Sequence, residues 1–107
     1  MVDALNREQV LERLRQQLPH LRDKYGVERV AVYGSFAQGR PRQRSDVDIV
    51  VHLGRPLGLE FVALAYYLED LLGRKVDLAT FETLQRGMQN PRYRHIAENV
   101  QRSLVYA

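Results

Sequence analysis

Asp46 and Asp48 flank a single valine at the head of the run DVDIVVHL, and ten residues separate them from the pair Gly34-Ser35. Alternate residues of a strand share a face, so these two carboxylates stand about 7 Å apart at Cα and crowd each other. A strand running into a core normally avoids such a pair, which calls for a cation. Oxygen-only ligands favour Mg²⁺ or Mn²⁺, and the two acids can converge on one ion or clamp two about 4 Å apart. The chain has no cysteine and no histidine pair at ligand spacing, which argues against zinc.

Gly34 follows the strand-like run VERVAVY, and Ser35 opens SFAQG, which reads as one helical turn. Glycine permits a tight turn and close backbone approach. The amides of the turn and the Ser35 hydroxyl can hold phosphate oxygens. Phosphate donors at one strand end and metal-bearing carboxylates on the next are what a nucleoside triphosphate requires. A third acid, Asp77, interrupts the apolar run KVDLAT. With its strand beside the second, it would complete a triad, binding a second metal or taking the proton of an attacking hydroxyl. Each feature alone has a plain reading, as loop acid, ordinary Gly-Ser turn or water-facing edge residue. Their convergence on one kind of site is what carries weight. Arg40, Arg42 and Arg44 form a polar loop in which one arginine can contact phosphate.

The elements that must position these residues are short. Asn6 and Gln9 form a capping box, with Leu5 and Val10 at the staple positions. Val10, Leu11, Leu14 and Leu18 then keep helical spacing, and Pro19 is expected to break or kink this first helix ahead of Gly26. Arg29–Tyr33 reads as a buried strand. In 46–53, Val47, Ile49 and Val51 take one face, and Asp46, Asp48 and Val50 the other. Phe61, Leu64, Ala65, Leu68, Leu71 and Leu72 mark a helix stopped by Gly73, and 75–80 is a third strand. Asn90-Pro91 is expected to open the last helix as cap and first residue. His52 ends its strand, and His20 and His95 look structural or exposed. The expected fold is α/β (α+β), a short mixed sheet covered by helices, in a single domain over 1–107.

At 107 residues there is little room for a separate acceptor domain. The formal charge of +3 is mild, and no stacking aromatics accompany the Arg-rich loop, which argues against a direct nucleic-acid binder. No signal peptide or membrane-length apolar run is apparent, so a cytoplasmic protein without membrane contact is expected.

Gly34-Ser35, ten residues and Asp46-x-Asp48 resemble the GSx10DxD signature of the minimal nucleotidyltransferases of the DNA polymerase β-like superfamily, and Asp77 matches that fold's third acid. Within that superfamily the chain resembles the MntA-type antitoxins of prokaryotic HEPN–MNT toxin–antitoxin pairs. The resemblance implies transfer of AMP from ATP to a tyrosine of a HEPN ribonuclease toxin, held in a hetero-oligomer and thereby silenced. It implies Asp46, Asp48 and Asp77 as catalytic and metal-binding residues, Gly34 and Ser35 as nucleotide-binding, and Mg²⁺ or Mn²⁺ as cofactor. Many relatives carry an arginine where Gln38 stands, with Arg40 nearby in this chain. Two other readings of the same residues remain: an antitoxin acting by binding alone, and a nucleotidyltransferase acting on an aminoglycoside-like small molecule with a partner subunit.

Overall fold

The computed structural model describes residues 5–39 and 46–107. Helix α1 (Arg7–Tyr25) leads into strand β1 (Val27–Tyr33), the short helix α2 (Gly34–Ala37) and strand β2 (Val47–Leu53). Helix α3 (Glu60–Leu72), strand β3 (Val76–Thr80), helices α4 (Phe81–Gln89) and α5 (Arg94–Arg102) and strand β4 (Val105–Tyr106) complete the chain. The four strands form one mixed sheet in the order β3-β2-β1-β4. β1 runs antiparallel to both β2 and β4, whereas β2 and β3 are parallel, joined by α3 as the crossover a parallel pair requires.

The alternation of β2 separates two faces. Val47, Ile49 and Val51 join Val30 and Val32 of β1 against Leu14 and Leu21 of α1 and Leu64 and Leu68 of α3, all buried. On the other face Ala31 and Val50 are also buried, and Phe81, the first residue of α4, stacks on His52. Gly87 on α4 and Ala97 on α5 bring these two helices close: a β-carbon on Gly87 would stand 3.3 Å from that of Ala97.

The capping box forms as expected, with Gln9 N donating to Asn6 Oδ1 at 2.9 Å and Asn6 N to Gln9 Oε1 at 3.1 Å. Pro19 does not end the helix. α1 continues for 19 residues to the left-handed Gly26, because its apolar face (Val10, Leu11, Leu14, Leu21, Tyr25) is buried on both sides of the proline. The last helix also begins later than expected. Asn90 accepts from Arg92 N at 3.0 Å inside a turn, and α5 starts at Arg94. α4 was not expected. Thr80 ends β3 and caps α4 at once, accepting from Thr83 N at 3.1 Å, so no loop separates the two elements.

Candidate active site

The strand register places the first two site elements side by side. Tyr33 of β1 pairs with Asp48 of β2, and Asp48 pairs with Asp77 of β3, so the three residues form one row across three adjacent strands. Paired residues point to the same face, and Asp46, two positions before Asp48, shares it. Asp48 in the central strand is partly buried, while Asp46 and Asp77 are exposed. Burial, then the charges of Asp77 and Asp46, push the Asp48 carboxyl up to about 6. The same neighbourhood reaches Tyr33, where burial, then Asp77 and Asp48, push the phenol up to about 12. The structure therefore brings all three aspartates into one electrostatic neighbourhood. Tyr33 joins them, although its sequence reads only as the end of an apolar strand. The alignment across strands that places it there is not visible in the local pattern.

Gly34 connects the row to the turn. Its φ of +71° lies in the left-handed region, and a β-carbon there would run into Oδ2 of Asp48, with Asp48 Cγ only 3.2 Å away. The glycine is thus required twice, for the turn and for the close approach of backbone to carboxylate. Behind it, Phe36 is fully buried and fixes α2 in the core. Arg7 Nη1 at the start of α1 donates to the last carbonyl of α2, Ala37 O, at 3.0 Å. Ser35 is the second residue of α2, partly exposed beside the row. Arg40, Arg42 and Arg44 lie outside the described residues.

Hard oxygen donors crowded enough to push the Asp48 carboxyl up fit a divalent cation, which would relieve the repulsion. Among the described residues no three His, Cys, Asp or Glu side chains lie in an arrangement that holds a metal on protein ligands alone. Asp46 and Asp48, together with substrate phosphates and water, match the way Mg²⁺ is commonly bound.

A cavity of about 860 Å³ lies away from this row. It opens at the far end of β2, beyond His52, four residues or about 13 Å from Asp48. His52 does more than end its strand. Its ring stacks on Phe81 with centroids 4.2 Å apart, and its Nε2 lies 2.7 Å from the Tyr106 hydroxyl. Burial, then Arg29, lower its pKa, so the ring is neutral at physiological pH. Arg15 and His20 of α1 each pack against neighbours of their own. Arg15 pairs with Glu12 at 3.1 Å, and His20 packs edge-on against Tyr67 at 5.1 Å.

The chain belongs to the nucleotidyltransferase domain family, whose model matches residues 11–105. It is a nucleotidyltransferase. The protein adenylyltransferase MntA of Thermococcus cleftensis is 40% identical over 87 residues, 80% of either chain. A Methanocaldococcus jannaschii protein named for protein adenylyltransferase activity is 35% identical over 92% of this chain and 94% of its own. The fold matches a solved minimal nucleotidyltransferase, 33% identical, with a TM-score of 0.67 over 97% of this chain and 98% of the other. It also matches a toxin–antitoxin structure containing AMP-PNP, 26% identical, with a TM-score of 0.55 over 79% of this chain and 66% of the other. Among the described residues no helix is long and apolar enough to cross a membrane.

Proposed function

We propose that this chain is a Mg²⁺-dependent antitoxin that transfers AMP from ATP to a tyrosine hydroxyl of a HEPN-domain toxin and so silences it. The observation that carries the reading is the row Asp48–Asp77 with Gly34 wedged against Asp48. The 40% identity to a protein adenylyltransferase supports the protein acceptor, and the toxin–antitoxin structure with AMP-PNP supports both the nucleotide and the partner.

In this reading Asp46 and Asp48 would hold a divalent cation, which would supply countercharge to the triphosphate. Gly34 and Ser35 bind phosphate oxygens through the turn amides and the hydroxyl. Asp77 is exposed on the edge strand β3, open to an approaching acceptor. It takes the proton as the tyrosyl oxygen attacks the α-phosphorus; the α–β anhydride bond breaks and pyrophosphate leaves. Asp77 could also contribute a ligand to a bound metal. The domain presents few walls to an acceptor, and a partner protein offering its own side chain removes that need.

The test is intact-mass spectrometry of the protein encoded beside this chain, incubated with it, ATP and Mg²⁺. The expected result is mass gains in AMP-sized steps on a tyrosine, absent with Asp46→Asn/Asp48→Asn. A stable, silenced complex without any mass gain would overturn transfer in favour of inhibition by binding.

A further inference from the structure

The cavity at the far end of the sheet has one feature the nucleotidyl-transfer site does not use. β1 carries a bulge between Val27 and Arg29, which pair with Leu53 and His52, so Glu28 is the extra residue with no partner across the ladder. A bulge of this kind re-aims a side chain. Here it turns Glu28 onto Gly54. A β-carbon on Gly54 would sit 3.4 Å from Glu28 Cδ and Oε2, so the missing side chain makes the bed on which the carboxylate rests. Glu28 and Gly54 both line the cavity, together with Phe61, Phe81 and His52.

The other charged groups of the lining are engaged. Arg55 donates to Lys24 O at 2.9 Å and pairs with Glu60 at 3.2 Å, and Glu82 pairs with Arg86 at 2.6 Å. Among the described residues Glu28 has no ion pair. A carboxylate without a counter-ion, in a cleft walled by two phenylalanines and a neutral imidazole, suits a cation that can also lie against aromatic faces. The volume is that of a small-molecule or side-chain site.

We propose that this cleft docks a guanidinium or alkylammonium group on the Glu28 carboxylate, within walls formed by Phe61 and the His52–Phe81 stack. Its source is a basic side chain of the protein acceptor; that assignment rests on the adenylyltransferase reading above. His52 and Asp48 share a face of β2 about 13 Å apart, so an extended acceptor segment would carry the basic residue about four positions from the modified hydroxyl. The cleft would then select acceptors by charge at a point remote from the reacting atoms.

The experiment is a titration of the ¹⁵N-labelled chain, without nucleotide, with N-acetyl-arginine methylamide, spermidine and N-acetyl-glutamine methylamide. It is run on the wild type, on Glu28→Gln, and on Asp46→Asn/Asp48→Asn to remove cation binding at the acid row. The arginine probe is expected to shift the Gly54 and Phe81 amides saturably, in the double variant as in the wild type, with affinity at least fivefold lower in Glu28→Gln. The glutamine probe is expected to shift neither. Equal affinity in Glu28→Gln, or shifts confined to the Asp48 row, would overturn the site. Tighter binding of spermidine than of the arginine probe would overturn the protein source in favour of a free polycation. Glu28 is exposed, so Glu28→Gln is expected to fold normally, and unchanged amide shifts away from the cleft check this. Because no nucleotide is present, failure here is separable from failure of adenylyl transfer.

Discussion

At Asp48 a burden on folding and a functional requirement meet in one carboxylate. Its folded pKa, about 6, lies above the ordinary 3.8, so the folded state holds the proton more tightly than the unfolded chain does. The resulting stabilisation is complete below about pH 4 and is lost as the pH rises through about 6. Above that, the metal-free protein holds an ionised Asp48 crowded by its neighbours. Asp48→Asn is therefore expected to melt no lower than wild type at pH 7 in EDTA, with a weaker loss of stability between pH 4.5 and 7. Transfer should fall at least a hundredfold, as when one group that stabilises developing charge is removed. Parallel melting curves for the two proteins across that range would show that the row is not strained. Protons compete with metal for the same oxygens, so the Mg²⁺ needed for half-maximal transfer should rise as the pH drops below about 6. Gly34→Ala makes the complementary case. It forces a β-carbon into both a left-handed backbone and the space of the Asp48 carboxylate, and should cost about 1–3 kcal/mol along with most of the activity. Chemical denaturation read beside a transfer assay checks both; a fully stable, fully active variant would mean the turn can relax away from Asp48.

Among the elements, those held by local chemistry were legible, and those held by distant contacts were not. The capping box at Asn6, the alternation of β2 and the apolar stripe of α3 are short-range patterns, and each formed where the sequence placed it. Pro19 is a strong local signal that tertiary burial overrides, because the turns on both sides of it pack into the same core. α4 went unread because a single residue, Thr80, both ends a strand and caps a helix. β4 is two residues long, and only its pairing with Ala31 and Val32 defines it. The site divides the same way. Gly34, Ser35, Asp46, Asp48 and Asp77 were legible as residue types and spacing, whereas Tyr33 and the bulged Glu28 depend on register between strands. Pro19 also yields a test. It removes the helical bond to Arg15 O and crowds that turn, so Pro19→Ala should stabilise α1 by about 2 kcal/mol, after allowing for the greater freedom of the unfolded alanine chain. Calorimetry should show a higher Tm. A lower one would mean that the proline's shape, rather than its position in the chain, is what the core requires.

Across the whole molecule, the acid row is a point where three strands meet, so occupancy of the site should be felt by the entire sheet. The row spans β1, β2 and β3, including both the antiparallel and the parallel pairing. A ligand that binds only the folded chain stabilises it by about 2.7 kcal/mol at a hundred times its Kd. In a domain of about 100 residues, each kcal/mol moves Tm by roughly 4–8 °C, so saturation with Mg²⁺ and a non-hydrolysable ATP analogue should raise Tm by roughly 10–20 °C. The components are not expected to act alike. The analogue alone brings a polyanion toward three aspartates and should shift Tm little, despite the formal charge of +3 on the chain as a whole. Mg²⁺ alone should give a smaller rise by relieving the repulsion around Asp48. The two together should exceed the sum of their separate effects, because each supplies ligands or countercharge the other needs. In Asp46→Asn/Asp48→Asn this excess should vanish. Equal shifts with the analogue in the presence and absence of Mg²⁺ would place the triphosphate away from the aspartates, and the row would then need a different ligand.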